Sequence, residues 1–255
     1  MIWNRQSVLQ GQGFLGTWLN LGAPASAEIA GLAGFDWVLI DREHGSGDEK
    51  DTAMQIMAAQ CGGAASIVRV SGIYANEIKR VLDWGPSGLM VPSIHTAEQA
   101  REVIRAVRIP PLGNRGAASS TRASGYGFGY QKYLQDANST LVTMLQIESA
   151  ESVRNCPEIA SIEGADVLFI GPTDLSIDMG IDVSSDQFDQ ALNEVLKAVH
   201  QHQKAAGILA RNPEQARKYQ NMGFSVIALE SDRGLLAKGF AQAVAACRQE
   251  LPESR

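Results

Sequence analysis

The chain has 255 residues, 45% of them hydrophobic and 20% charged, with a formal net charge of −6. That composition supports a sizeable globular core, and one large α/β domain is ordinary at this length. The acidic balance argues against general nucleic-acid binding. No stretch is long and apolar enough to span a membrane, and the polar start, Met1 to Gly13, lacks the apolar core of a signal peptide.

Short apolar runs recur along the chain, each bounded by Gly, Pro or a polar residue, as strands buried on both faces are. The first, Phe14–Asn20, precedes a segment that Pro24 opens at a helix-start position. Runs at Trp37–Asp41, Ser66–Val70 and Gly88–Pro92 follow, and Thr96-Ala-Glu-Gln99 reads as a capping box. Next comes a long, glycine-rich, basic connection from Pro110 to Tyr133, expected to be a subunit contact or a flap over the substrate. Further runs lie at Leu141–Ile147, Val167–Gly171, Gly207–Ala210 and Ser225–Glu230, with a cap at Asn212-Pro213-Glu-Gln215 before the last. Strands alternating with helices predict parallel α/β structure. Their number closes a (β/α)₈ TIM barrel at about 250 residues. An open doubly wound sheet is the runner-up, and it lacks the GxGxxG fingerprint after the first strand.

Barrel chemistry sits at the C-terminal strand ends. Those ends carry Asp41-Arg42-Glu43-His44, Arg69, Gln146-Ile-Glu148, Gly171-Pro172-Thr173-Asp174 and Glu230-Ser231-Asp232. Gln146 and Glu148 are two apart and share a strand face. Glu148 and Asp174 are hard oxygen donors suited to Mg²⁺ or a similar ion. Position alone leaves that reading open beside another, in which the two carboxylates cap helices. Arg69 interrupts a buried run, either as an ion-pair partner or as an electrophile facing a carboxylate or enolate. Asp41 and His44 are three apart, so a carboxylate bonded to one ring nitrogen would leave the other as a base. No lysine falls on a candidate strand, which disfavours imine chemistry. The four histidines and three scattered cysteines form no metal or CxxC motif. A reducing, cytoplasmic location is expected.

The sequence resembles the HpcH/HpaI family of metal-dependent class II pyruvate aldolases. The resemblance rests on Ala33-Gly-Phe-Asp-Trp-Val-Leu-Ile-Asp41, Glu43-His44, Met90-Val-Pro92, Pro110-Pro-Leu-Gly-Asn-Arg-Gly116, Gln146-Ile-Glu148 and Phe169-Ile-Gly-Pro-Thr-Asp-Leu-Ser176. It implies a single TIM-barrel domain over 1–255, of the phosphoenolpyruvate/pyruvate-binding type. It also implies a homo-hexamer, a trimer of dimers, with the C-terminal helix exchanged between subunits. The implied reaction reversibly cleaves a 4-hydroxy-2-oxo acid to pyruvate and an aldehyde through a metal-stabilised enolate. By matching position, Glu148 and Asp174 hold a divalent metal (Mg²⁺, Mn²⁺ or Co²⁺). His44 is the acid/base, acting through a metal-bound water and oriented by Asp41. Arg69 faces the 2-oxo oxygen. Gln146 and the Gly171-Pro172-Thr173-Asp174 segment hold the substrate, with the Thr173 and Asp174 N–H groups on its carboxylate.

Arg42, Ile94-His95, Glu230 and the stretch Tyr126-Gly-Phe-Gly-Tyr130 depart from the family pattern. Arg42 and Glu230 border the mouth, so they bear on the acceptor aldehyde more than on the pyruvate end. Other expectations compatible with the residues are a citryl-CoA-lyase-like C–C lyase or an oxaloacetate decarboxylase on the same site, and a non-catalytic barrel.

Overall fold

The structure, a computed structural model, describes residues 3–250. A short helix α1 (Arg5–Leu9) precedes strand β1 (Phe14–Leu19), α2 (Pro24–Leu32), β2 (Trp37–Asp41), α3 (Glu49–Gly62) and β3 (Ala65–Arg69). Then come α4 (Ala75–Asp83), β4 (Gly88–Val91), α5 (Ala97–Val107), a 3₁₀ helix (Arg122–Gly127), α6 (Tyr130–Thr140) and β5 (Val142–Ile147). The chain continues through α7 (Ala150–Arg154), α8 (Cys156–Ala160), β6 (Val167–Ile170), α9 (Pro172–Met179) and α10 (Asp186–Gln201). It closes with β7 (Ala205–Ala210), α11 (Pro213–Met222), β8 (Val226–Ser231) and α12 (Asp232–Glu250). Each strand pairs in parallel with the next and β8 pairs with β1, so the sheet is the expected closed (β/α)₈ barrel.

The predicted helix starts hold locally. Pro24 occupies the first turn of α2, Thr96 and Gln99 cap α5 reciprocally, and Asn212 caps α11. Several strand edges differ from the sequence reading by one residue, and β7 by two. β3 begins one residue earlier, and β7 begins at Ala205 because Ala205 and Ala206 pair with Val167 and Leu168. Alanines carry no β signal of their own, so only the neighbouring strand reveals them.

Alternate residues divide the core in two. Val38, Ile40, Val68, Leu89, Leu145, Leu168 and Ile208 face outward against the helices. Phe14, Trp18, Trp37, Leu39, Ile67, Met90, Met144 and Phe169 fill the lumen. Gly16 makes room for Trp37, since a Cβ there would fall 2.2 Å from the indole.

The N-terminal segment shuts the barrel at the N-terminal strand ends. Trp3 packs edge-on against Phe14 at 4.9 Å and lies 5.7 Å from Trp37. Arg5 bonds the fully buried Asp166 at 2.8 Å, and Asp166 also accepts from the Thr143 N–H at 2.9 Å and from Arg108 at 3.3 Å. The connection from Pro110 to Tyr133 reaches this same end. Its Arg115 and Ala123 line a cavity with Trp3, Ser87 and Leu141, the last two lying just before β4 and β5. It therefore does not cover the C-terminal face of its own barrel, which removes the flap reading for this subunit. Its tip exposes Tyr126 and Phe128.

Asp166 joins three elements through one buried charge, so its removal leaves Arg108 buried and unpaired. Asp166→Asn is expected to lower unfolding free energy by about 3 kcal/mol, measured by urea denaturation.

Candidate active site

The C-terminal face gathers most of the polar strand-end residues. β2 and β3 pair with Asp41 directly opposite Arg69. That register lets the guanidinium fork grip the carboxylate, Nε to Oδ1 at 2.9 Å and Nη2 to Oδ2 at 2.8 Å. Both side chains are buried, at 0% and 7% exposure. Arg69 Nη1 reaches Glu43 Oε2 at 2.7 Å and Gln146 Oε1 at 3.4 Å. The Trp18 ring lies beneath, 5.1 Å from the guanidinium carbon. Asn20, just past β1, donates its amide to Asp41 Oδ2 at 2.7 Å.

The Asp41–His44 contact expected from spacing is not made through the imidazole. Both Asp41 oxygens are occupied by Arg69, and Asp41 meets His44 only at its backbone N–H, at 3.3 Å. The His44 ring is 70% exposed, with Nε2 3.9 Å from Glu43 Oε1.

On the opposite wall, Gln146 Nε2 donates to Glu148 Oε2 at 2.8 Å. Ser93, past the end of β4, donates its N–H (2.8 Å) and hydroxyl (3.1 Å) to Glu148 Oε1. Helix α7 is capped by Ser149 and Ser152, so Glu148 is not its cap. Gly171 keeps the neighbouring space open, because a Cβ there would lie 3.0 Å from Glu148 Oε2 and 3.2 Å from Gln146 Nε2. α9 begins at Pro172 with no side-chain cap, leaving the Thr173 and Asp174 N–H groups as its free donors. Asp174 stands in that first turn, exposed.

These residues surround a cavity of about 280 Å³, lined among others by Asp41, His44, Arg69, Gln146, Gly171 and Asp174. Arg211 and Glu230 stand on its rim. Among the described residues no three His, Cys, Asp or Glu side chains cluster as metal ligands. Two carboxylates that follow neighbouring strands, Glu148 after β5 and Asp174 after β6, could serve as oxygen donors. That suits a hard divalent cation that completes its shell with water and substrate oxygens, and Gly171 leaves room beside Glu148.

The family model for HpcH/HpaI aldolase/citrate lyase matches residues 15–239. The chain belongs to this family. It is 37% identical over 234 residues to a 4-hydroxy-2-oxo-heptane-1,7-dioate aldolase of Escherichia coli, covering 91% of this chain and 89% of that one. A crystal structure of an HpcH/HpaI aldolase/citrate lyase family protein from Burkholderia cenocepacia superposes with a TM-score of 0.91 at 34% identity, covering 96% and 98% of the two chains. A citrate synthase structure matches with a TM-score of 0.86 at 27% identity, over 96% and 97%.

Sequence reasoning missed Asn20 and Ser93 in this HpcH/HpaI barrel. Each is a polar residue just beyond a strand end, a signal that was present. Ser93 also adopts φ 56°, a backbone feature invisible in sequence. Glu230 likewise has φ 57°, at the point where the β1–β8 register shifts. Glycine adopts that conformation without strain, and a side chain there costs about 1 kcal/mol. Glu230 keeps its carboxylate at the mouth by pairing with Lys238 of α12.

The two acids beside Arg69 are driven apart. Burial alone would raise Asp41, but the hydrogen bonds and charge of Arg69, with the His44 and Glu43 N–H groups, hold it below its ordinary value. Burial raises Glu43 above its ordinary value against the pull of Arg69 and His44, with repulsion from Glu148 and Asp41 adding to the rise. The folded form therefore holds the Glu43 proton more tightly than the unfolded chain does. Ionised Glu43 opposes folding at neutral pH, and that cost fades as pH falls through its raised value. Glu43→Gln is expected to melt at or above the wild-type temperature at pH 7. The gap should close by about pH 4, read by thermal scans across pH.

Proposed function

We propose that this chain is a divalent-metal-dependent aldolase that reversibly cleaves a 4-hydroxy-2-oxo acid to pyruvate and an aldehyde. The observation that carries the reading is the buried Arg69, locked by Asp41 and facing a cavity that it lines with Gln146, whose amide in turn donates to Glu148. The printed activity of the Escherichia coli relative supports it.

Glu148 and Asp174 would hold the cation, which supplies Lewis-acid polarisation of the 2-oxo group. The substrate carboxylate lies against the Thr173 and Asp174 N–H groups at the start of α9, where donors and dipole favour an anion. Gln146 orients the keto end beside Arg69. His44 takes the proton of the C4 hydroxyl, and the C3–C4 bond breaks. Its electron pair passes into a C2–C3 enolate whose oxygen faces Arg69. The aldehyde departs, and C3 regains a proton to give pyruvate. Asp41 acts through Arg69, keeping the fork in place.

The test is pyruvate release from a panel of 4-hydroxy-2-oxo acids, using metal-stripped enzyme with Mg²⁺, Mn²⁺ or Co²⁺ added back. Release that depends on added metal is expected. Glu148→Ala should keep its circular dichroism but lose calorimetric metal binding, and activity by about a hundredfold or more. Undiminished cleavage by that variant sinks the mechanism. No release from any member of the panel points to CoA-ester lysis or oxaloacetate decarboxylation on the same site.

The resemblance also implies a hexamer built from dimers that exchange the C-terminal helix. In support, α12 packs on β1 and β8, while Phe240 (68% exposed) and Val244 leave much of their surface open. Beside its first turns lies an apolar groove of about 400 Å³, formed with Ile29, Ala30 and Phe35. Phe240→Asp is expected to shift the assembly to smaller species in size-exclusion chromatography with light scattering. Among the described residues no helix is long and apolar enough to cross a membrane, and Cys61, Cys156 and Cys247 are free thiols. A reducing cytoplasm suits them.

A further inference from the structure

Although the chain is acidic overall, cations gather at its N-terminal strand ends, away from the catalytic face. Arg5 and Arg108 both bind Asp166, and Arg115 lies close enough to Arg108 to repel it. Burial holds Arg108 below its ordinary value; the Asp166 charge opposes that, and repulsion from Arg5 and Arg115 adds to it. One carboxylate thus answers two guanidinium groups and leaves the third over.

Arg115 is only 4% exposed, yet no carboxylate among the described residues stands within ion-pair distance of it, and its Nε has no hydrogen-bond partner. A buried guanidinium in that position is strongly unfavourable without an answering anion. Asp83 is the acid whose charge it feels. Burial raises Asp83 above its ordinary value against the pull of Arg115 and Lys79, and its Oδ1 is itself unpartnered.

Arg115 lines a cavity of about 300 Å³ together with Trp3, Ser87 and Tyr133. The Trp3 indole N–H and the Tyr133 hydroxyl are buried and lack partners too. Buried polar groups are nearly always paired, so three unpaired groups able to donate, around one cavity, call for acceptor oxygens. The Arg115 guanidinium carbon lies 5.8 Å from the Tyr133 ring centroid, which steadies the fork by its face. Leu82, Ala137 and Leu141 supply apolar wall, and Asp136, also on the wall, pairs with Lys132. This cavity shares no lining residue with the one at the C-terminal strand ends.

We propose that the cavity is a second ligand site, taking a small organic oxyanion: a carboxylate or phosphate group on an apolar body. Arg115 pairs with the anionic head through charge-assisted hydrogen bonds, and Trp3 and Tyr133 donate to its oxygens. The body lies against Leu82, Ala137 and Leu141. Trp3 belongs to the segment that seals the barrel and Arg115 to the Pro110–Tyr133 connection, so a ligand here ties the two together.

Enzyme labelled with fluorinated tryptophan reports on both cavities in one fluorine NMR titration, because Trp3 lines this one and Trp18 the catalytic one. Trp3→Phe and Trp18→Phe assign the two resonances. The probes are benzoate, phenyl phosphate and the neutral benzyl alcohol. A saturable shift of Trp3 is expected with at least one of the two anions, and the tighter one identifies the head group. Benzyl alcohol should bind at least about tenfold more weakly. Arg115→Lys, a charge without the fork, is expected to weaken the anion about 3- to 10-fold, and Arg115→Gln by more than about tenfold. No saturable Trp3 shift with either anion overturns the site, as does a shift of Trp18 alone or equal binding of benzyl alcohol. Wild-type affinity in the Arg115 variants overturns it as well. Should Arg115→Gln fail to fold by circular dichroism, Arg115→Lys and Tyr133→Phe decide, and wild-type affinity in both defeats the proposal.

Discussion

An arginine inside a closed barrel is tolerable only when its charge is answered at once, because burying an unpaired ion costs several kcal/mol. Here the answer is Asp41, directly across the β2–β3 register, gripping both arms of the Arg69 fork. Much of the upper lumen follows from that pair. Asn20 and the N–H groups of Glu43 and His44 fill the remaining capacity of Asp41, which ties the ends of β1 and β2 together. Gln146 bridges from Arg69 to Glu148, and Ser93 fixes Glu148 from β4. The network thus spans the barrel mouth and holds each member by at least one neighbour.

Below it lies an apolar floor of Trp18 and Phe169, with Trp37, Phe14 and Trp3 stacked toward the other end. This plug keeps water out from beneath and lowers the local dielectric, so the charges above it interact more strongly than they would at a surface. The opposite end of the barrel uses the same device for a structural purpose. Asp166 answers Arg5 and Arg108 and anchors the N-terminal segment that seals the barrel. Position separates the two buried ion networks: one lines the cavity at the C-terminal strand ends, where loops gather functional groups, and the other is packed under the chain's own N-terminal segment.

Much of the site was legible because strand-end residues announce themselves. A carboxylate or guanidinium closing an apolar run, as at Asp41, Arg69 and Glu148, has no ordinary core role. The Asp41–His44 pairing was misread because spacing along the chain says nothing about competition. Arg69 is 28 residues from Asp41 in sequence but directly opposite it in the barrel, and a bidentate guanidinium outcompetes an imidazole on an exposed loop. Ser93 went unread, and Glu230 was read only as bordering the mouth, since the left-handed backbone at both is set by the closed sheet.

The sequence by itself determined the barrel, through eight apolar runs of strand length separated by capped helices, since such patterns report local burial and local hydrogen bonding. It also offered Glu148 and Asp174 as candidate oxygen donors while leaving open whether they were helix caps. The tertiary structure decided what Glu148 meets instead: Ser93, just past β4, donates its N–H and hydroxyl to that carboxylate. It decided as well that the Pro110–Tyr133 connection runs to the far end of the barrel. Each of these depends on contacts between residues distant in the chain, and register and closure set such contacts, not local pattern.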